Sequence, residues 1–241
     1  MKINVSIEAR MTSSRLPKKV LKPLGNSTVL EVMINRVLKC ELVDEIIVAT
    51  TTNKDDDAII KLCEKKGIKH FRGSEDNVFQ RVLQAHQKFN TDVIVELTGD
   101  CPFIDPKLID EAIKIYLDND YEYVSNSIKS TFPIGMAIQV YSLKSLENIK
   151  KYGLNSMDKE HVTPQFYTTN RFKTFNICAP KELEFPELSV TLDTKEDYEI
   201  ITKIMNYFND DYFSIEQLVN YVRDNPNLLQ INGSIKRKGL S

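Results

Sequence analysis

Hydrophobic and polar positions along the chain switch repeatedly between the two-residue repeat of strands and the 3.6-residue repeat of helices. Lys2 to Ile7 is rich in β-formers, and Ser27 to Lys39 places Val29, Leu30, Met33, Ile34, Val37 and Leu38 on one helical face. Glu45 to Thr50 is a short apolar run of the buried-strand kind. Asp56 to Lys66 has helical spacing and is stopped by Gly67, after which Ile68 to Phe71 reads as a short strand. Asn77 to Phe89 is a further amphipathic helix, Asp92 to Leu97 a strand, and Asp105 to Leu117 a helix with Pro106 at its first position. Strand runs of Val and Ile, rather than clean alternation, predict a mostly parallel sheet covered on both faces. The first half is therefore expected to be a doubly wound, Rossmann-like α/β unit.

Beyond about residue 120 the pattern loosens. Tyr121 to Ser125, Met136 to Tyr141 and Phe172 to Ala179 read as strands, with a helical stretch around Lys159 to Tyr167 between them. Glu196 to Phe208 and Ser214 to Arg223 are amphipathic helices. No linker, composition break or repeat separates the halves, so a single domain over residues 1–241 is expected, with a second lobe inserted late. The basic run Ile235 to Gly239 reads as a solvated end.

Composition narrows the class. Lys plus Arg (32) against Asp plus Glu (34) leaves a net charge of −2, which argues against gripping a nucleic acid polymer or an anionic membrane through net charge. Hydrophobic residues make up 41% and charged residues 27%, with a mean hydropathy of −0.31, as in soluble globular domains. The start of the chain lacks the pattern of a signal peptide, and nowhere are there about 18 consecutive apolar residues, so no membrane span is expected. Cys40, Cys63, Cys101 and Cys178 contain no C-x-x-C pair and the histidines do not cluster. Zinc and disulfides are accordingly not expected, and a cytoplasmic location is.

The densest polar cluster runs from Ala9 to Lys19, directly after the first strand, and holds four cations and three hydroxyls. In an open α/β sheet, ligands bind beyond the carboxyl ends of the strands. Arg and Lys placed there suit phosphates, although a solvated basic loop is the plain alternative. A second strand end carries Thr98-Gly99-Asp100-Cys101-Pro102, and a third, Val190 to Thr194, places Asp193 after a β-branched run. A carboxylate beside a polyphosphate site is repulsive unless a cation lies between, and Mg²⁺ is held by one or two carboxylates plus substrate phosphates. Thr194, with Asp197 three residues on, also fits a helix cap. Asp55-Asp56-Asp57 reads more simply as cap and first-turn acids than as a metal site. Phe208, Tyr212 and Phe213 read as core or dimer contacts.

The stretches ARMTSSRLPKKVLKPL, EIIVATTTNKDDD, FRGSEDNVFQR, VIVELTGDCPFIDP, YVSN, KEHVTP and VTLDTKEDYE together resemble the cytidylyltransferase family that includes the spore-coat polysaccharide protein F group. More distantly they resemble the acylneuraminate and 3-deoxy-manno-octulosonate cytidylyltransferases. The resemblance runs in register from residue 3 to about 233. It implies a fold of the nucleotide-diphospho-sugar transferase type, with a nucleotide-binding half over about 1–120 and an acceptor-side and dimerisation lobe over about 121–190. Residues from about 191 to 241 would return to the core. It further implies that Ala9, Arg10, Ser13, Arg15 and Lys19 hold a nucleoside triphosphate, with Thr98 near the base or ribose and Gly99 also on the nucleotide side. Lys19, Arg10 and Asp100 would be the catalytic group, Asp100 and Asp193 the Mg²⁺ carboxylates, and Asn126, Gln139, Glu160 and His161 the acceptor side. Members are generally homodimers acting on sugar acids, sugar phosphates or similar acceptors. Three departures stand out: Lys18 where the group often has glycine, Glu8 where glutamine is common, and Ala137, Gln139 and Ser189 where charged residues are usual.

The expected activity is nucleotidyl transfer, with an acceptor oxygen attacking the α-phosphorus of CTP and pyrophosphate leaving, in the making of a surface polysaccharide or glycoconjugate. No covalent nucleophile is needed for such chemistry. The rival expectations are a GTP-dependent guanylyltransferase using a hexose or hexosamine 1-phosphate, a nucleotide-sugar-dependent glycosyltransferase, and a nucleotide sensor without catalysis.

Overall fold

The computed structural model describes residues 1–237 and opens on β1 (Ile3–Glu8), which is buried along nearly its whole length. After the basic loop, a 3₁₀ turn at Lys19–Leu21 and a small hairpin of β2 (Pro23–Leu24) and β3 (Ser27–Thr28) lead into α1 (Val29–Val37). Ser27 and Thr28 thus lie outside the helix expected from residue 27, because the Thr28 side chain accepts the Glu31 N–H as its cap. β4 (Glu45–Thr51), α2 (Asp57–Lys66), β5 (Lys69–Gly73), α3 (Val78–Lys88), β6 (Val93–Thr98) and α4 (Pro106–Asp118) follow within a residue or two of expectation.

The remaining elements are β7 (Tyr123–Ser125), β8 (Gln139–Ser142), α5 (Leu143–Lys151), α6 (Ser156–His161), α7 (Pro164–Thr168) and β9 (Thr174–Asn176). They are followed by α8 (Lys195–Phe208), α9 (Ile215–Asp224) and α10 (Leu229–Asn232). All the longer strands join one sheet of seven in the order β5-β4-β1-β6-β8-β7-β9. β8 alone runs against its neighbours, so six strands are parallel and the switch in strand order falls at β1. The late lobe is therefore continuous with the first sheet through β8.

The two faces of this sheet differ. Ile3, Val5 and Ile7 of β1, Val93, Val95 and Leu97 of β6 and Val140 of β8 enter one large apolar core with α1, α4, α8 and α9. The alternate positions of the same strands turn towards α3, α5, α6 and α7. There Ile94, Tyr123 and Tyr141 meet Phe79, Leu146, Ile149 and Phe166 in a second cluster. On this face the strands also carry polar residues, Ser6 and Glu8 on β1 and Glu96 on β6, since side chains two apart share a face.

Several boundaries moved for identifiable reasons. The strand expected over Met136 to Tyr141 begins only at Gln139, because Asn126 takes the place of a ladder partner. Its Nδ2 donates to the Met136 carbonyl at 2.7 Å and its Oδ1 accepts the Ile138 N–H at 2.8 Å. The helix expected around Lys159 to Tyr167 is broken into α6 and α7 at Val162, whose φ of 65° and ψ of −55° close a γ-turn, with the Thr163 N–H donating to the His161 carbonyl at 2.7 Å. The strand end expected at Val190 to Thr194 follows no strand; the chain just before it makes only an isolated bridge, Ser189 with Ile134. α5 was not expected from the pattern, although Ser142 caps it and Leu143, Leu146 and Ile149 give its spacing. Asp56 caps no helix through its side chain and has a different task, described below. Arg237 is not solvated but paired with Asp197, while Lys238 and Gly239 of the same expected tail lie outside the described residues.

Candidate active site

A cavity of about 470 Å³ opens beyond the carboxyl ends of β1 and β6, at the switch in strand order. One wall is the loop from Ala9 to Lys19. Its path is set by backbone bonds, with the Lys18 N–H donating to the Met11 carbonyl at 2.9 Å and the Lys19 N–H to Leu16 at 3.2 Å. Lys18 stands at φ 61°, ψ 20°, in the left-handed region that glycine adopts without cost. A lysine holds this conformation at some backbone cost.

Asp56 fastens the loop to the sheet. The carboxylate is fully buried and accepts the Met11 N–H at 2.7 Å, the Thr50 hydroxyl at 2.9 Å and the Thr51 N–H at 3.0 Å. Glu75 braces it from outside, accepting the Thr12 hydroxyl and lying 3.6 Å from Arg10. Neither role was read from the sequence, where the acidic run before α2 has a simpler local explanation.

Lys19 reaches across to two carboxylates. Its Nζ donates to Asp100 Oδ2 at 2.7 Å and to Asp193 Oδ1 at 2.8 Å, and Arg15 meets the other oxygen of Asp193 at 2.9 Å. The two acids come together because the Leu192 N–H donates to the Asp100 carbonyl at 2.8 Å. Gly135, at φ 104°, lets the chain pass against this segment, and a Cβ there would lie 2.9 Å from the Thr191 nitrogen. Gly99 allows a second close approach, since a Cβ would sit 2.9 Å from the Glu8 carbonyl oxygen. Burial alone would pull the Lys19 ammonium down, but Asp100 and Asp193 outweigh it and the net shift is upward. Burial likewise works to raise Asp100, and Lys19 reverses this, holding the carboxyl below its usual range. The pair is ionised in opposite senses near neutral pH.

The floor has the opposite character. Glu8 and Glu96, on adjacent strands, both line the cavity. Burial first, and then the neighbouring Glu96, push Glu8 well above its ordinary value. Burial pushes Glu96 up to about 8, against the Tyr141 hydroxyl that donates to it. Arg81, also buried, faces Glu8 and donates to the Ser74 carbonyl at 2.5 Å. Beside them Gln139 is oriented by two hydroxyls, Tyr123 at 2.8 Å and Thr163, which both donate to its Oε1. Thr163 is aimed by the γ-turn at Val162. Glu160 and His161 are exposed on the rim.

Of the residues expected at a site, Ala9, Arg10, Ser13, Arg15, Lys19, Thr98, Asp100, Gln139, Glu160, His161 and Asp193 share this cavity. Gly99 and Asn126 do not line it: the first spaces two strand ends, and the second has its amide committed to the backbone before β8. Cys101, next to Asp100, is pushed up to about 12 by burial and then by Asp100, so it offers no thiolate nucleophile. Glu8, Arg81, Glu96, Tyr141 and Thr163 were given no site role, although Glu8 stood out as a departure, because each is a single polar position among residues with ordinary packing roles. Only the polar phase of Asn4, Ser6 and Glu8, alternating with Ile3, Val5 and Ile7, could have signalled a polar sheet face.

Comparisons with known proteins place the chain in a family. A protein of Methanocaldococcus jannaschii without an assigned function is 36% identical over 239 residues, 99% of this chain and 97% of that protein. The spore coat polysaccharide biosynthesis protein SpsF of Bacillus subtilis is 36% identical over 205 residues, 81% of this chain and 82% of its own length. A solved cytidylyltransferase from Leptospira borgpetersenii superposes with a TM-score of 0.91 at 33% identity, covering 99% of this chain and all of that one. The sequence model of the cytidylyltransferase family matches residues 5–235, and the chain belongs to that family.

Proposed function

We propose that the protein is a Mg²⁺-dependent cytidylyltransferase that moves CMP from CTP to a small anionic acceptor, a sugar acid or a phosphorylated compound, and releases pyrophosphate. The observation that carries this reading is the placement of Lys19 between Asp100 and Asp193 at the switch in strand order, with Arg10 and Arg15 along the same wall. An acceptor oxygen bonds to the α-phosphorus as the bond to the β-phosphate oxygen breaks, and pyrophosphate carries the electron pair away; a hydroxyl acceptor gives its proton to solvent water, whereas an ionised phosphate oxygen has none to lose. Charge builds on the phosphates, so the groups that help are fixed cations. Lys19 pairs with both carboxylates and Arg15 with Asp193, while Arg10 lines the same wall; with a divalent ion between the two acids, the Lys19 ammonium would turn to the phosphates instead.

Asp100 and Asp193 fit a divalent ion in one respect that the structure shows: both carboxylates converge on a single point, now the Lys19 ammonium. Among the described residues no third Asp, Glu, His or Cys joins them, so the ion would complete its shell with phosphate oxygens and water. When bound, Mg²⁺ would neutralise triphosphate charge and polarise the α-phosphate. The residues' own part is to bind and align. The loop holds the triphosphate, Gln139 offers an oriented amide to the acceptor, and Glu160 and His161 stand at the entrance. Burial disfavours charge on the floor carboxyls, so the cations there are Arg81 and the loop, and an anionic acceptor would turn its charged end towards them and its hydroxyls towards Gln139.

The test is a pyrophosphate-release assay with Mg²⁺, crossing the four nucleoside triphosphates with sugar acids, sugar phosphates and small phosphorylated acceptors. Release with CTP and one acceptor class is expected. Preference for GTP with a hexose 1-phosphate, or release with no triphosphate, would overturn the proposal.

A further inference from the structure

Asp197, in the first turn of α8, has a side chain with 0% exposure. Its Oδ2 accepts the Asp193 N–H at 3.0 Å, the Thr194 N–H at 2.9 Å and the Thr194 hydroxyl at 3.2 Å. Its Oδ1 accepts the Asn232 amide at 2.7 Å. A capping box accounts for the Thr194 contacts, but it does not call for a charge on the acid to be matched inside the protein. That match comes from far along the chain. Arg237 grips both oxygens with its two terminal nitrogens, at 2.6 and 2.8 Å, and is the one cation paired with Asp197 among the described residues. Such a forked pair fixes direction as well as charge. The segment that brings Arg237 here is itself tied down, since Asn232 of α10 also donates to the Ser189 carbonyl at 3.1 Å and the Ile235 N–H to the Asn232 carbonyl at 3.1 Å. Residues 232–237 thus form a strap across the base of the segment that carries Asp193.

We propose that Arg237 is a positioning residue for Asp193: it neutralises Asp197, and Asp197 holds the Asp193 backbone so that the Asp193 carboxylate meets Lys19 and Arg15. A buried carboxylate stripped of its partner is strongly disfavoured, and it would turn towards water. That movement weakens the bond to the Asp193 N–H and releases the turn. The functional side of this inference rests on the reading of Asp193 as part of the triphosphate site, whereas the strap itself does not.

Amide hydrogen exchange tests the strap without any substrate. In Arg237→Ala, exchange at Asp193 and Thr194 is expected to quicken at least about tenfold, as for loss of an outer partner of a site residue, while β1 and β6 keep their rates. Arg237→Lys should lie between, because a lysine supplies the charge without the fork. Arg237→Ala combined with Asp197→Asn should recover slow exchange, since an asparagine oxygen can still accept the Asp193 N–H without a buried charge. Unchanged exchange at Asp193, or a uniform rise through the whole chain, would overturn the proposal. The functional arm is a double-mutant cycle on Mg²⁺–CTP affinity. Arg237→Ala should weaken binding about tenfold in the parent and under about twofold in Asp193→Asn. Equal losses in both backgrounds would break the link to Asp193. A parent protein that binds no CTP would instead refute the proposed function, and exchange would still decide on the strap.

Discussion

The two walls of the cavity are built in opposite ways. The basic wall is one continuous loop, Ala9 to Lys19, whose side chains are charged, partly exposed and paired with acids brought to them. The floor is gathered from four separate strands and the turn between α6 and α7, and its groups are buried, short of counter-charge and tied to one another by hydroxyls. The loop can respond to a charged, hydrated triphosphate at small desolvation cost. The floor cannot, and its groups are fixed in advance. On the proposed function, the triphosphate meets the adaptable wall and the acceptor the fixed one, and Glu8 and Gln139 belong to the fixed one.

The largest break in this comparison should come from Lys19→Ala. It removes a fixed cation from the triphosphate and leaves Asp100 and Asp193 facing each other, so pyrophosphate release is expected to fall by about 10³-fold or more. Circular dichroism should show the fold retained, and a loss under tenfold would remove Lys19 from the catalytic group. Asp56→Ala comes next, since it strands the Met11 and Thr51 N–H groups inside the protein. A cost of about 3 kcal/mol is expected, read as a fall in melting temperature of roughly 6–12 °C for a chain of this size, together with weaker CTP binding. A CTP affinity equal to the parent's would show that the loop holds its shape without this anchor.

Glu96→Gln sharpens the other wall. A carboxyl raised to about 8 keeps in the folded state a proton that the unfolded chain has already lost, so its contribution to stability is complete below about pH 4.5 and is lost as pH rises through about 8. Glu8 shifts in the same direction. Melting temperatures measured from pH 6 to 9 should therefore decline in the parent and decline less in Glu96→Gln. An identical slope would show that Glu96 does not hold a proton in the folded protein over this range. The same variant should change the acceptor KM more than the CTP KM. Lys18→Gly should have the smallest effect, within about 1 kcal/mol, because relief of the left-handed backbone is offset by the greater freedom of glycine in the unfolded chain. A large loss on urea denaturation would mean that the lysine side chain does more than occupy the turn.

Much of the doubly wound half was legible, since Ile46 to Ala49 or Val93 to Leu97 can satisfy their backbone and apolar surface only as buried parallel strands. The loop was legible too, because its charges are adjacent in the chain and follow a strand end. Thr194 and Asp197 show the limit: their spacing revealed the capping box but not that Arg237 completes it. In the same way, nothing near Asp56 says that its partner is the Met11 N–H.

By itself, then, the sequence determined the period of each element, the caps, the basic loop and the identity of the acids at two of its partners, because these depend on neighbours within a few residues. Tertiary structure alone decided that Lys19 lies between Asp100 and Asp193, that Glu8 and Glu96 share a floor with Tyr141 and Gln139, and that Arg237 closes on Asp197. Strand register and chain reversal set those distances, and the energy of bringing charges together depends on burial, which no local pattern encodes.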